Sequence, residues 1–396
     1  MTAKNKLGTE SYKGVRDFFP EDMRVRNYMF RTIRETVESF GFEEYDASIL
    51  EPAELYESKT SQEIVNEQTY TFTDRGDRRV TLRPEMTPTV ARMVASGRRE
   101  LGFPLRWYSI PNLFRYERPQ RGRLREHYQL NADIFGSNSI EADIEIISLA
   151  HKILTNFGAQ ESDFEIRINN RGALKNALMQ NMNDEEAEME LSKMDKGNSE
   201  LSVKIETSEE TRSIIEALKE RGISNVRFDQ TLVRGFSYYT GTILEVFDTN
   251  PDNNRSLFGG GRYDNLTTLF DDEQIPAVGF GMGDVTLRDF LETHGLLPEI
   301  FRDPKVFIGT VDIKPKDAQD IAENLRANNI PAEINITDKK IGDQIKLAEK
   351  HAATHMIVLG AEELKNEKFT IKNLDTREEQ EFSFGAISEQ VAFILK

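Results

Sequence analysis

Apolar residues recur along the chain at two spacings, every third or fourth residue in some stretches and every second residue in others. Residues 21–40 have the helical spacing and are followed by Gly41, so they predict an amphipathic helix that ends there. Alternation over residues 68–74 and 79–83 predicts the two strands of a hairpin, which leads into a helix that ends near residue 96. Helices and strands are therefore mixed in this part of the chain.

The middle of the chain continues this mixture. Residues 138–157 and 211–219 have helical spacing, and residues 163–169 alternate as a strand. The stretch 171–225 is mostly polar and rich in Glu, Lys and Asn, without a pattern that suggests chemistry.

From residue 304 onward, predicted strands and helices alternate regularly. The strands fall at 306–311, 332–336, 355–359, 369–371 and 381–384, and the helices at 316–327, at 341–350 and at the C-terminal end. Such alternation is typical of a small α/β domain with its own core. Because 396 residues are many for one core, we expect two domains, 1–300 and 304–396, with a linker over 298–304.

The most informative stretch, residues 113–136, reads LFRYERPQRGRLREHYQLNADIFG. Both ends alternate between polar and apolar residues and the charged centre contains Pro119 and Gly122, which predicts a hairpin with a long loop. Five arginines lie between Arg115 and Arg125, and guanidinium groups bind phosphate through paired donors. Such a loop can also serve solubility alone. Polar residues set between large apolar ones on both arms favour the floor of an anion-binding pocket.

Two further segments are candidates for ligand contacts, and each has a purely structural alternative. In TLRPEMTPTVAR, Glu85 and Thr87 are also ordinary residues for the start of a helix. In LFGGGRYDNL, the glycines ahead of Arg262 let the backbone approach either a ligand or a neighbouring strand. The patterns alone leave both alternatives open.

The composition narrows the class of protein without identifying it. A net charge of −17, with 30% charged and 38% hydrophobic residues, describes an acidic globular protein that would contact nucleic acid only through local basic patches. Cysteine is absent, which excludes disulfides, thiolate metal ligands and cysteine nucleophiles and suits a reducing compartment. The run of about 18 apolar residues that marks a membrane helix is missing, so we expect a cytoplasmic protein.

The segment FRYERPQRGRLREHYQ resembles motif 2 of the class II aminoacyl-tRNA synthetases in its histidyl version. TLRPEMT, RGFSYYTG and GGGRYDNL resemble substrate-binding segments of the same family, and residues 275–292 stand where motif 3 belongs. The resemblance covers about residues 12–396. It implies an α+β catalytic domain, built on an antiparallel sheet with flanking helices, followed by an α/β anticodon-binding-like domain. It also implies ATP-dependent activation of histidine, transfer to tRNA(His), and Mg²⁺ accompanying the ATP.

The resemblance assigns roles around the nucleotide. Arg115 and Arg234 are expected on opposite sides of the α-phosphate as the catalytic cations, and Arg123 at the β- or γ-phosphate. Glu117 is expected to accept a hydrogen bond from the adenine amino group, and Glu245 to bind Mg²⁺. Fixed cations are what this reaction needs, because charge builds up on the phosphoryl oxygens.

It also assigns roles around the amino acid and the tRNA. The residues expected to contact histidine are Glu85, Thr87, Gln129, Asp133, Arg234, Tyr238, Tyr239 and Tyr263. Arg118 and Gln120 in the basic loop are expected to reach the acceptor end of the tRNA.

Three positions depart from the family pattern. Residues 21–52 resemble motif 1, the dimer element, which implies a homodimer, but Ser48 stands where a proline is usual. Ser237 stands where an aspartate is usual. Thr286 replaces the motif 3 arginine that clamps the γ-phosphate, and Arg288 is no simple substitute because two positions rotate a helical side chain by roughly 200°. Either the triphosphate is held differently or adenylation is impaired.

The alternative function is that of a non-aminoacylating paralogue, either a histidine-sensing regulatory subunit or a tRNA-binding protein. Regulatory subunits of this kind typically lack the anticodon-binding domain and the histidine segments. Both are recognisable in this sequence, so we expect a histidine–tRNA ligase.

Overall fold

The computed structural model describes residues 7–57, 68–195, 206–234, 238–253, 255–271, 273–298 and 305–384. The chain divides into two compact units, residues 1–298 and 299–396. None of the described helices is long and apolar enough to cross a lipid bilayer. The expected C-terminal helix, most of the expected linker and Ser237 lie outside the described residues.

The first unit is organised around one large sheet. Its strands are β1 (Glu43–Glu44), β2 (Leu50–Pro52), β3 (Tyr70–Thr73), β4 (Arg79–Leu82), β5 (Leu105–Ser109), β6 (Asn112–Phe114), β7 (Glu126–Phe135), β8 (Phe164–Asn170), β9 (Val226–Phe228), β10 (Thr242–Asp248), β11 (Ser256–Arg262) and β12 (Ala277–Gly283). Its helices are α1 (Pro20–Ser39), α2 (Glu54–Glu57), α3 (Thr87–Gly97), α4 (Ile140–Asn156), α5 (Arg171–Leu178), α6 (Asp184–Asp195), α7 (Glu209–Glu220) and α8 (Asp284–Thr293).

The strand order in the large sheet is β1-β5-β7-β12-β11-β10-β8-β9, with β6 paired to β7. Pairing is antiparallel from β5 through to β8. At the two edges, β1 with β5 and β9 with β8, it is parallel. Strands β2, β4 and β3 form a separate antiparallel sheet. The α+β class with flanking helices is confirmed, and the parallel edges refine it to a mixed sheet.

Strand β7 shows how the sheet separates the core from the site. Its even-numbered residues from Leu130 to Ile134 are buried in the main apolar core together with residues of α1 and α4. Its odd-numbered residues from Gln129 to Asp133 line a pocket, because successive side chains of a strand point to opposite faces. The alternation predicted for the returning arm of the hairpin therefore decides which face of β7 lines the pocket.

Most predicted helices of this unit are found close to their predicted bounds: 21–40 is α1, 138–157 is α4 and 211–219 is α7. The alternating pattern predicts the outgoing arm of the hairpin over residues 112–117, but the strand is shorter, since β6 ends at Phe114. Helices α5 and α6 lie in the polar stretch and were not predicted. The pattern of α6 is weak because it buries only Ala187 and Leu191.

The second unit is a five-stranded sheet in the order β14-β13-β15-β16-β17. Its elements are β13 (Val306–Thr310), α9 (Gln319–Ala327), β14 (Ala332–Ile334), α10 (Ile341–Lys350), β15 (His355–Leu359), α11 (Ala361–Asn366), β16 (Lys368–Asn373) and β17 (Glu379–Ser383). The first three strands in space are parallel and the last two antiparallel to their neighbours. The predicted alternation is confirmed, apart from α11, which buries no residue and so leaves no apolar pattern.

Candidate active site

The floor of the pocket is formed by β7, β11 and β12. The floor residues are Gln129, Asn131, Asp133, Gly259, Gly279, Phe280 and Gly281. Glycine is required at Gly259 and Gly279, because a Cβ would lie 2.6 Å from the backbone oxygens of Leu244 and Ala132, respectively. A Cβ at Gly279 would also collide with Oδ1 of Asp133, and a Cβ at Gly281 would displace the end of the Gln129 side chain. The glycines of β12 thus leave the space in which the polar side chains of β7 stand.

The walls come from segments that are distant in sequence. They consist of Glu85, Thr87, Arg115, Arg234, Tyr238, Tyr239 and Tyr263. Tyr238 Oη donates to Glu85 Oε2 at 3.1 Å, and Tyr263 Oη donates to Asp133 Oδ1 at 2.5 Å. The cavity volume is about 120 Å³. Every residue expected to contact histidine, together with Arg115, lines this one cavity.

The carboxyl groups of the pocket are strongly buried. Asp133 is 4% exposed and Glu85 is 3% exposed. Burial raises the pKa of Asp133 to about 7, although the hydrogen bond from Tyr263 acts in the opposite direction. Burial and the nearby Glu85 raise the pKa of Tyr238 well above its usual value. The pocket therefore favours a ligand that carries positive charge or N–H donors.

Two arginines line the same pocket. Arg115 Nε donates to Pro84 O at 2.8 Å, and Arg234 Nη1 donates to Glu245 Oε1 at 2.9 Å. The Glu245 carboxylate is thus engaged by Arg234, and its expected role as a Mg²⁺ ligand stays a prediction. Within the described residues, no group of three or more Asp, Glu, His or Cys side chains is arranged to bind a metal ion. We interpret Glu245 as the residue that orients Arg234.

Glu117 lies between this pocket and a second one. Its Oε1 is 4.0 Å from Nη1 of Arg115, and its Oε2 is 3.8 Å from Nη1 of Arg123. The second cavity has a volume of about 390 Å³. It is lined by Gln120, Arg121, Gly122, Arg123, Asn253, Arg255, Ser256, Leu257, Thr286 and Asp289. The basic loop, the β10–β11 connection and the start of α8 therefore enclose a cationic space beside the first pocket.

The five arginines of the basic hairpin have different surroundings. Arg125 is 9% exposed, lies 4.0 Å from the ring centroid of Tyr116, and donates to Glu117 O at 3.1 Å. Arg121 pairs with Asp289 of α8 at 2.9 Å. Arg125 is therefore used by the fold itself, and the sequence pattern wrongly grouped it with the arginines available to an anion. Arg118, by contrast, is exposed.

The departures from the family pattern are also placed by the structure. Thr286 Oγ1 donates to Leu257 O at 2.7 Å, so this side chain is held at the base of the second cavity. Arg288 pairs with Glu292 at 2.7 Å and lines neither cavity, as expected from its rotation around the helix. Ser48 Oγ accepts a hydrogen bond from Leu50 N at 3.2 Å, in the turn before β2.

Sequence reasoning missed several residues that line the cavities, among them Asn131, Phe280 and Arg255. Asn131, whose Oδ1 accepts from Gln129 Nε2 at 2.7 Å, lies on the same alternation as Gln129 and Asp133, which would have revealed it. Phe280 lies in the apolar pattern of β12 and carries no separate signal. Arg255 lies in an irregular connection, where no periodicity indicates which way a side chain points.

Comparisons with known proteins agree with this geometry. A family model described as histidyl-tRNA synthetase matches residues 14–218 and 169–285, and an anticodon binding domain model matches residues 305–393. A histidine–tRNA ligase of Leptospira biflexa is 42% identical and covers 98% of both chains. The crystal structure of apo S. aureus histidyl-tRNA synthetase superposes with a TM-score of 0.77 at 27% identity, covering 96% of this chain and 99% of that chain.

A structure from Bacillus halodurans C, described as an ATP phosphoribosyltransferase regulatory subunit/histidyl-tRNA synthetase, has a TM-score of 0.73 at 23% identity and covers 90% of this chain and 99% of that chain. At that identity the similarity concerns the fold alone. The function of this chain therefore has to be judged from its sequence relatives and from the site.

Fold, pocket and C-terminal domain together define an aminoacyl-tRNA synthetase of class II. Its specificity follows from the relatives that match almost the full length of both chains. The chain belongs to the histidyl-tRNA synthetase family, whose members ligate histidine to tRNA.

Proposed function

We propose that the first pocket brings histidine and the α-phosphate of ATP together and catalyses formation of histidyl-adenylate. The observation that carries this proposal is the union of two buried carboxyl groups, Glu85 and Asp133, with two guanidinium groups, Arg115 and Arg234, in a single cavity. The carboxyl groups suit the positive end and the ring of an amino acid. The guanidinium groups suit an anion in front of them.

Histidine offers an α-ammonium and imidazole N–H groups as donors. Glu85, Gln129 and Asp133 would accept from them, while Thr87, Tyr238, Tyr239 and Tyr263 supply hydroxyl groups around the same space. Because a buried acceptor left unpaired is costly, a pocket of this composition discriminates strongly against apolar analogues. Selectivity for histidine would therefore depend on hydrogen bonds that an apolar analogue cannot make, and not on the shape of the pocket alone.

The activation step transfers an adenylyl group. An oxygen of the histidine carboxylate attacks the α-phosphorus, the bond to the bridging oxygen of the β-phosphate breaks, and pyrophosphate leaves with that electron pair. Arg115 and Arg234 would hold the two anions together and stabilise the charge that develops on the α-phosphoryl oxygens. The pairing of Arg234 with Glu245 at 2.9 Å keeps its guanidinium oriented before substrate arrives.

Glu117 would accept a hydrogen bond from the adenine amino group. The triphosphate would extend towards Arg123, which would bind the β- or γ-phosphate. Mg²⁺ commonly accompanies ATP through phosphate oxygens and only one or two carboxylates. A Mg²⁺ ion bound mainly to phosphate fits this site better than one held by Glu245, given the ion pair with Arg234. The chemistry that it would supply is neutralisation of phosphate charge.

In the second step, a hydroxyl of the terminal ribose of tRNA(His) attacks the carbonyl carbon of the adenylate and AMP leaves. Exposed Arg118 and Gln120 would contact the acceptor end. We assign catalysis to residues 1–300, with a compact insertion at 171–225, and anticodon binding to residues 304–396. A cytoplasmic homodimer is the proposed assembly, because residues 21–52 resemble the dimer element of the family.

The test is ATP–pyrophosphate exchange by the purified protein, run separately with each of the twenty amino acids. We expect exchange with histidine and none above background with the others. Histidine binding without exchange at millimolar histidine would instead indicate a histidine-sensing paralogue and overturn the proposal.

A further inference from the structure

The second cavity carries more positive than negative side chains. Arg121, Arg123 and Arg255 line it, and Asp289 is the one acidic residue among its described lining residues. Asp289 is already paired with Arg121 at 2.9 Å. The cavity is therefore suited to an anion with several negative oxygens.

This cavity lies along the same strand as the first pocket. Leu257 of β11 lines the second cavity, and Gly259, two residues further on, lines the first. Residues two apart on a strand lie at most roughly 7 Å from each other, and the register of β11 against β10 shifts at Leu257. That spacing suits successive phosphates of one nucleotide, so the terminal phosphates would lie over Leu257 when the α-phosphate lies over Gly259.

We propose that Arg255 is the cation that holds the terminal phosphates of ATP in this chain, in place of an arginine on α8. The inference rests on the proposed function. Arg255 belongs to the β10–β11 connection, and Arg123 to the basic loop, so the two guanidinium groups belong to different walls of the cavity.

Three observations favour Arg255 over other cations. Its Nη1 donates to Arg121 O at 3.1 Å, which holds the guanidinium beside the basic loop. Among the described residues it has no carboxylate partner, whereas Arg121 pairs with Asp289 and Arg288 pairs with Glu292. It is also exposed, so a ligand can reach it.

The start of α8 does not supply this cation. Thr286 is short and donates to Leu257 O at 2.7 Å. The basic loop also comes close to it, since a Cβ at Gly122 would lie 3.5 Å from Thr286 Cγ2. Thr286 therefore lines the second cavity without a positive charge, and a cation for a phosphate group there must come from the other walls.

The experiment compares Arg255→Gln with the wild-type protein in ATP–pyrophosphate exchange without tRNA. We expect the KM for ATP, and in the reverse direction the KM for pyrophosphate, to rise by about tenfold or more, because a charged contact to phosphate is lost. The KM for histidine should change less than about twofold. Arg288→Gln, which removes a guanidinium from the same region but outside the cavity, is the matched control and should leave the KM for ATP unchanged.

A second measurement separates phosphate binding from a role in bracing the loop. The non-reactive analogue histidyl-sulfamoyl-adenosine has no β- or γ-phosphate, so Arg255→Gln should bind it as tightly as the wild type. Equal weakening for the analogue and for ATP would mean that Arg255 only braces the basic loop. An unchanged KM for ATP and for pyrophosphate would also overturn the inference. Absence of histidine-dependent exchange in the wild type would instead refute the proposed function.

Discussion

Asp133 is a residue at which function and stability make opposite demands. It is 4% exposed, and burial raises its pKa to about 7. A carboxyl group whose pKa is raised on folding stabilises the folded state fully at pH values below its unfolded pKa. That contribution is lost as the pH rises through the folded pKa. At pH 8 the unliganded protein therefore holds a buried negative charge, which an N–H donor of the substrate would compensate.

We predict that Asp133→Asn stabilises the unliganded protein more at pH 8 than at pH 5. The gain at pH 8 should be on the order of 2–4 kcal/mol at most, since about three pKa units separate the folded and unfolded values. The asparagine oxygen can still accept from Tyr263. Thermal unfolding of both proteins at the two pH values measures the effect.

The same variant should bind histidine more weakly at pH 8, because it no longer offers a charged acceptor. Glu100→Gln removes one exposed carboxylate elsewhere and controls for the change in net charge. A stability difference between Asp133→Asn and wild type that is equal at both pH values would contradict the buried, titrating carboxyl group.

At the scale of elements, the basic loop between β6 and β7 contains two kinds of residue. Some anchor the loop to the rest of the fold, and others are exposed and available to a ligand. Arg115 N donates to Arg125 O, and Arg125 N donates to Gly14 O, both at 2.8 Å. These bonds anchor the base of the loop to the N-terminal segment. Arg118 lies beyond this anchor and is exposed.

We predict that Arg118→Ala slows transfer of histidine to tRNA and leaves ATP–pyrophosphate exchange within about twofold of wild type, because it would lose only a contact to the tRNA backbone. Arg125→Ala should lower both activities and the melting temperature, because it removes the contacts to Tyr116 and Glu117. Single-turnover transfer and exchange assays on the two variants distinguish the roles. Equal effects of the two substitutions on exchange would contradict this division.

How far the elements could be predicted depended on what each one buries. Strand β7 was predictable because its alternate residues face two different environments, the apolar core and the pocket. Helix α6 was not predictable, because it buries only Ala187 and Leu191 and the rest of its sequence is mostly polar. The buried state of Arg125 could not be predicted either, since a cation that stacks on a tyrosine has the same sequence signal as one that faces solvent.

The site followed the same rule. Residues within recognisable segments, such as Glu85 and Tyr263, were located by resemblance, and the structure brings them into one cavity. The partner of Glu245 was not predictable, because its pairing with Arg234 joins a strand to a segment eleven positions away in sequence. Contacts of that kind depend on the tertiary structure rather than on any local pattern.

At the scale of the whole molecule, the two units have separate proposed roles, catalysis in the first and anticodon binding in the second. Both cavities are lined entirely by residues of the first unit. The second unit has its own apolar core, in which Val306, Ile308 and Ile357 are fully buried, and it matches the anticodon binding domain model.

We predict that removing residues 304–396 leaves histidine-dependent exchange within about threefold of wild type, because each unit has its own core. Charging of tRNA(His) should fall by about tenfold or more, since contacts to the anticodon are lost. Steady-state charging at several tRNA concentrations, with the full chain assayed in parallel, provides the measurement. A charging rate equal to that of the full chain would contradict the role assigned to the second unit.

The glycines of β12 have a consequence for attempts to redesign the enzyme for other amino acids. Adding methyl groups to the floor is the usual way to make a pocket accept a smaller substrate. At Gly279 the added carbon would collide with the Asp133 carboxylate, so a mutant library built on the floor would lose the recognition group before it gained a new shape. Altered specificity is therefore more accessible through wall positions such as Thr87.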